Sequence, residues 1–308
     1  MMNFEKYQGV IPAFYACYDD HGEISPERTR NLTSHLIDKG VQGLYVGGSS
    51  GECIYQGVEE RKLVLENVMA VAKGKITIIA HVACNNTRDS QELAKHAESL
   101  KVDAIAAIPP IYFRLPAHGI AEYWNDISAA APNTDFIIYN IPQLAGVALT
   151  LPILKEMRKN PRVIGVKNSS PATQDIQMWK YEGGQDFIVF NGPDEQFISG
   201  LAMGAGGGIG GTYAVMPELF LSAYRLYHEG KMQAALAVQN DICNIIYKMC
   251  EGHGNLYAIM KAILQKQGVT VGGVRKPLTN VVPEDQRIID EAYSMITSAI
   301  KAAEQQFV

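Results

Sequence analysis

The chain has 308 residues, 47% hydrophobic and 19% charged, enough apolar material for a large core. Its formal charge is 27 − 32 = −5, and no basic stretch exceeds a few residues, which argues against a nucleic-acid partner. It contains no apolar run of roughly 18 residues, so no membrane span is expected, and Met1-Met2-Asn3-Phe4-Glu5-Lys6 lacks the apolar core of a secretory leader.

Short β-branched or apolar runs recur along the chain at 10–15, 43–46, 76–82, 104–108, 136–139, 163–166, 187–190 and 206–209. Segments with helical apolar spacing lie between them, among them Val58–Ala72 and residues 88–100. Proline marks helix starts at Ser25-Pro26-Glu27, at Pro152 after Thr150, and at Pro217-Glu218. A missing N–H costs little in a first helical turn. Eight strand–helix units predict an α/β fold, a parallel (β/α)8 TIM barrel. The continuous apolar character of the strands fits burial on both faces. The eighth run is mostly glycine, so it is inferred from the count rather than from its own pattern. After Gly230 the alternation stops, and 231–250, 256–267 and 284–304 read as helices. We therefore expect a barrel over 1–229 and a C-terminal helical extension over 230–308 packed on it. No Ser/Gly linker separates the two.

Cys17, Cys53, Cys84, Cys243 and Cys250 are odd in number and scattered. That pattern predicts free thiols in a reducing, cytoplasmic setting. Cys250-Glu251-Gly252-His253 lacks the second ligand pair that a zinc site needs, so no metal is expected. Gly206–Gly211 matches GxGxxG, but it forms the eighth strand itself instead of linking a strand to a helix. Dinucleotide binding is not expected there.

Active sites of such barrels lie at the C-terminal ends of the strands. In chain order those ends carry Gly47-Gly48-Ser49-Ser50-Gly51-Glu52, then Pro109-Pro110-Ile111-Tyr112, Tyr139, Lys167-Asn168-Ser169, and Asn191-Gly192-Pro193-Asp194-Glu195. Lys167 is the most telling of these. An amine at the edge of an apolar barrel has a lowered pKa, and a neutral amine attacks a carbonyl to form a Schiff base. The plain alternative is a strand-end lysine in solvent. Tyr139 can relay a proton if a neighbour hydrogen-bonds it, or it can be an ordinary core aromatic. Glycines at 47–51 let successive N–H groups hold a carboxylate, or simply form a tight turn. Asp194 and Glu195 can accept hydrogen bonds from sugar hydroxyls, or serve as acids at a helix start. Glu52 can brace the turn that precedes it.

GGSSGE at 47–52, YNIP at 139–142, GVKNSS at 165–170 and GPDE at 192–195 resemble the pyruvate-dependent class I aldolases. That family includes dihydrodipicolinate synthase and the sialic acid lyases, and the likeness runs over roughly residues 8–300 with every motif in order. Within it, YNIPQLAGV at 139–147 is most similar to the lyases. Dihydrodipicolinate synthases usually carry arginine where this chain has Leu144. The resemblance implies a barrel with extra C-terminal helices, a homotetramer, no metal and no organic cofactor. It implies a 2-oxo sugar acid and pyruvate as the small-molecule partners, with Lys167 as the Schiff-base residue. Tyr139, assisted by Ser49, would move the proton, and Tyr112 would lie near the Tyr139 hydroxyl, at a subunit boundary. Ser49 and Ser50 would hold the substrate carboxylate, while Ser169, Gly192, Asp194 and Glu195 would read the polyol chain. Two positions depart from the lyases: Ser169 stands where threonine is frequent, and Gly211 where many have serine.

Overall fold

The computed structural model describes residues 4–305. Residues 1–3 and 306–308, which the sequence reading assigned to the ends of the barrel and of the extension, lie outside the described residues.

The eight runs become eight parallel strands: β1 Gly9–Pro12, β2 Gly43–Val46, β3 Thr77–His81, β4 Ala104–Ala107, β5 Asp135–Asn140, β6 Val163–Asn168, β7 Ile188–Asn191 and β8 Gly207–Gly210. They pair in the order β1-β8-β7-β6-β5-β4-β3-β2. A parallel bridge between Ala13 and Tyr45 brings the two ends together. The Phe14 amide donates to the Tyr45 carbonyl at 2.9 Å, and the Val10 amide donates to Gln42 Oε1 at 2.7 Å.

Side-chain alternation divides the core in two. Ile11, Tyr45, Ile79, Ala106, Ile137 and Ile209 fill the barrel interior. Val10, Leu44, Ile78, Ile105, Ile138 and Val189 face outward and pack under the helices. The glycine-rich β8 is real, and its composition has a packing reason. A Cβ on Gly207 would overlap the Gly9 backbone, and one on Gly208 would overlap the Phe197 ring and the Tyr213 hydroxyl.

Helix starts follow the expected chemistry. The Ser25 hydroxyl accepts from the Arg28 amide ahead of Pro26–Asp38, and the Asn86 side chain accepts from the Asp89 amide ahead of Thr87–Leu100. Beyond the barrel's last helix, Pro217–His228, come Met232–Met249, Leu256–Lys266 and Gln286–Gln305. The first and third of these pack against Pro217–His228, and the first also packs on the turn Asp194–Gln196. No helix among the described residues is long and apolar enough to cross a membrane. All five cysteines are free.

Candidate active site

The sequence run at 163–166 stops short of the strand it belongs to: β6 continues through Lys167 and Asn168. Lys167 pairs in register with Tyr139 on β5, and Asn168 with Asn140. Register partners on parallel strands face the same way, so Lys167 and Tyr139 both point into the barrel. Simple alternation would not have put Lys167 there. Val163 packs outward under the helices, and 167 shares its parity. A β-bulge resolves this. Phe136 pairs with Val163 but Ile137 pairs with Gly165, which leaves Ile164 as an extra residue and changes the phase of β6. Bulges next to active sites commonly re-aim a side chain in this manner.

Lys167 is only 4% exposed. Its amine lies 4.0 Å from the ring centroid of Tyr139 and 4.1 Å from that of Tyr45. Burial lowers its pKa to about 7, against the smaller opposing pull of Asp194 and Cys53. A large fraction of this amine is therefore neutral at physiological pH. Burial pushes the Tyr139 phenol up to about 12, while the nearby hydroxyls of Ser49 and Ser169 pull the other way. Tyr139 thus rests as a neutral phenol. Tyr45 meets Tyr139 edge-on at 5.7 Å. His81 completes this inner layer, with its ring 5.9 Å from that of Tyr139. His81 Nδ1 faces the Gly47 carbonyl at 2.8 Å and so carries the proton, tying β3 to the turn after β2. Burial, then the nearby Arg61 guanidinium, holds His81 neutral.

The turn after β2 is built by its backbone conformation. Gly47 has φ 74 and Glu52 has φ 53, both left-handed. A Cβ on Gly48 would press into the Tyr45 ring at 2.7 Å. Ser49 and Ser50 thereby stand on the pocket side. Glu52 does not line the pocket. Its carboxylate accepts from Lys261 Nζ at 2.6 Å and from the Arg275 amide at 2.9 Å, and so braces the turn from behind.

On the opposite wall, Asp194 opens the short turn Asp194–Gln196. Its Oδ2 accepts from the Thr212 amide at 2.7 Å and the Thr212 hydroxyl at 2.6 Å, while Oδ1 is buried without a partner. Burial raises its pKa to about 6, opposed by the two Thr212 hydrogen bonds. Gln239, from the C-terminal extension, donates to the Asp194 carbonyl at 3.2 Å and accepts from the Ile198 amide at 3.0 Å.

One cavity of about 500 Å³ is lined by Lys167, Tyr139, Ser49, Ser50, Ser169, Gly192, Asp194 and Glu195 together. The structure does not bring Tyr112 to it. Tyr112 is 89% exposed, has φ 83, and packs edge-on against Phe113 at 5.0 Å. The segment after β4 runs outward, held by the Ile111 amide donating to Asn85 Oδ1, so within this chain the expected contact with the Tyr139 hydroxyl is not made. The cavity also contains residues that sequence reasoning did not single out: Thr212, Gln196, and Leu256, Tyr257 and Met260 from the extension. Beneath it, Tyr45 was hidden inside an apolar strand. Among the described residues, no group of three or more His, Cys, Asp and Glu side chains is placed to hold a metal ion.

Residues 6–296 match the model of the dihydrodipicolinate synthetase family. The chain belongs to that family. An N-acetylneuraminate lyase of Mediterraneibacter gnavus is 65% identical over 302 residues, 98% of this chain and 96% of that protein. One from Salmonella agona is 34% identical, over 98% of this chain and 97% of its own length. Among solved structures, a catalytic-lysine mutant of Ruminococcus gnavus sialic acid aldolase superposes with a TM-score of 0.97 at 64% identity, covering 98% of this chain and 99% of that one. A Clostridium difficile relative in complex with mannosamine gives a TM-score of 0.89 at 30% identity, over 93% and 98% of the two chains.

Proposed function

We propose that this protein is a Schiff-base lyase that reversibly cleaves N-acetylneuraminate to N-acetylmannosamine and pyruvate. The observation that carries the reading is Lys167, a buried amine with a pKa near 7, in one cavity with a serine turn and an acidic pair. The lyase names of relatives 65% and 34% identical support the choice of substrate.

In this reading the Lys167 amine attacks C2 of the open-chain sugar acid, and loss of water leaves an iminium. The iminium takes up the electron pair released as the C3–C4 bond breaks. The C4 hydroxyl loses its proton in the same step, and the C4 carbonyl forms. Tyr139 starts as a neutral phenol, so it accepts that proton while passing its own to the Ser49 hydroxyl, which hands its proton to the substrate carboxylate held beside it, from where it is available for C3 of the enamine. The enamine left on Lys167 is protonated at C3 and hydrolysed, which releases pyruvate and the free amine. Every step uses side chains and water, without an added cofactor.

The backbone N–H groups of Ser49 and Ser50 and the Ser50 hydroxyl hold the carboxylate. Ser169, Gly192, Asp194 and Glu195 read the polyol chain. Leu144 at the cavity's edge offers no cation for a second carboxylate, which disfavours a dicarboxylate product. We read the assembly as a homotetramer, with Tyr112 at a subunit boundary.

The test is to incubate the protein with N-acetylneuraminate, reduce with borohydride and weigh the peptide containing Lys167. A pyruvate-sized adduct on Lys167 is expected. A sugar-sized adduct alone means binding without cleavage. An adduct with pyruvate but none with the sugar acid keeps the Schiff base and removes this substrate. No adduct with either overturns the reading.

A further inference from the structure

Glu52 is buried in the turn after β2 with its backbone in the left-handed region, and the partners of its carboxylate come from far along the chain. Lys261 Nζ, on the helix Leu256–Lys266, donates to Glu52 Oε1 at 2.6 Å and to the Gly273 carbonyl at 2.6 Å. The Arg275 amide donates to Glu52 Oε2 at 2.9 Å. Both charged side chains of the pair are out of solvent, 1% and 0% exposed. A buried ion pair is poor evidence of net stability, so its place in the fold asks for another explanation.

That place is one helical turn from the cavity. Tyr257 precedes Lys261 by four residues, so the two share a helix face. Tyr257 lines the cavity beside Ser50, and the nearby Ser50 hydroxyl draws the Tyr257 phenol's pKa down against the larger effect of burial. Gly211 adjoins both residues. A Cβ on Gly211 would stand 3.2 Å from Ser50 Oγ and 4.0 Å from the Tyr257 ring. One face of one helix therefore grips the Ser49–Glu52 turn at two points, its hydroxyl end and its carboxylate end.

We propose that Tyr257 and the Lys261–Glu52 pair are positioning residues for the 2-oxo acid's carboxylate, acting through the Ser49–Ser50 turn. The inference rests on the Schiff-base reading of Lys167 and deepens it. A left-handed non-glycine residue persists only where its surroundings over-determine it. Here those surroundings belong to the C-terminal extension, which makes the extension part of the active site. Tyr257 fixes the rotamer of Ser50, and the ion pair fixes the direction of the N–H groups. Neither residue touches the carbon that reacts. Loosening either weakens capture of the carboxylate but leaves the chemistry at Lys167 unchanged.

The experiment titrates pyruvate against borohydride trapping on Lys167 and records the half-saturating concentration and the maximal extent. Tyr257→Phe deletes one oxygen and keeps the ring. It should raise the half-saturating concentration by roughly fivefold to tenfold, the worth of one hydrogen bond, with the maximum unchanged. Glu52→Gln combined with Lys261→Met removes both charges together, so no buried charge is stranded, and should act in the same direction. Lys261→Arg, which keeps the cation, should restore much of the wild-type value. A wild-type titration curve in Tyr257→Phe removes Tyr257 from the proposal. A wild-type curve in the double variant removes the ion pair. Wild-type protein that traps no pyruvate at all overturns the Schiff-base reading, and this inference falls with it.

Discussion

Two lysines are buried in this molecule, and they sit in opposite electrostatic settings. Lys167 is 4% exposed and Lys261 is 2% exposed, and burial lowers the pKa of both. Lys261 has the Glu52 carboxylate at 2.6 Å, and this partner opposes the lowering that burial causes. Lys167 has the faces of two tyrosine rings, with Asp194 acting on it only as a nearby charge. Burial alone does not make an amine a nucleophile. Burial without a carboxylate in contact does, because the neutral form is then the cheaper one to keep out of water.

The sharpest way to break this contrast is to remove the reactive amine. Lys167→Ala should reduce lyase turnover to the level of buffer alone, measured as pyruvate release. Substantial residual activity would mean that Lys167 is not the Schiff-base residue. Next in size is Tyr139→Phe, which keeps the aromatic face over the amine and removes only the proton relay. Loss of an acid–base group costs about 10²–10⁴-fold. We expect that loss in kcat, with little change in the half-saturating pyruvate concentration for borohydride trapping. An equal loss in both would make Tyr139 a packing residue.

The two lysines should also differ in sign when stability is measured. Lys261→Met strands the Glu52 carboxylate in the interior and should cost about 3–5 kcal/mol in urea unfolding. Lys167→Met should stabilise. The folded pKa of Lys167, about 7, lies below the 10.5 of the free side chain. Between those values the unfolded chain binds the proton and the folded protein does not. The wild type therefore loses stability as pH falls from 10.5 to 7, and carries the full penalty below 7. The methionine variant escapes it, by up to about 5 kcal/mol below pH 7 and by almost nothing above pH 10.5. A flat difference across that range would place the Lys167 pKa near its ordinary value. Stored instability at a reactive residue is a common cost of function.

The barrel was legible because its signal is repeated. Eight apolar runs at even spacing each carry the same message, so even the glycine-rich β8 could be inferred from its neighbours. The site was legible where reactive residues cluster at strand ends, as with Ser49, Ser50, Lys167 and Asp194. The direction in which Lys167 points was not. It depends on one extra residue in β6 relative to β5, and a register shift leaves no mark in a linear hydrophobic pattern. Tyr257 and Lys261 were hidden for another reason. They lie about 90 residues beyond Lys167 on a helix whose apolar spacing announces packing only, and the partner that gives Lys261 its meaning is Glu52. Tyr112 marks the opposite limit. The resemblance puts it near the Tyr139 hydroxyl, and within this chain alone the irregular segment after β4 carries it to the surface.

The smallest expected effect tests how far the Asp194 charge reaches. Trapping of pyruvate needs the neutral amine, so its rate should rise with pH through about 7 instead of near 10.5. Asp194 favours the protonated form of Lys167, and its own pKa is near 6. Asp194→Asn removes that charge while keeping an oxygen that can accept from Thr212. The pKa of Lys167 should then fall, and the rising limb should move to lower pH. At pH 6 the variant should trap pyruvate faster than the wild type, although its polyol-reading group has been altered. Pyruvate is the right probe because it has no polyol chain, so weaker sugar binding cannot masquerade as a shifted amine. A limb that stays in place would confine Asp194 to reading the substrate and show that its charge does not oppose the lowering that burial between the two tyrosine rings imposes.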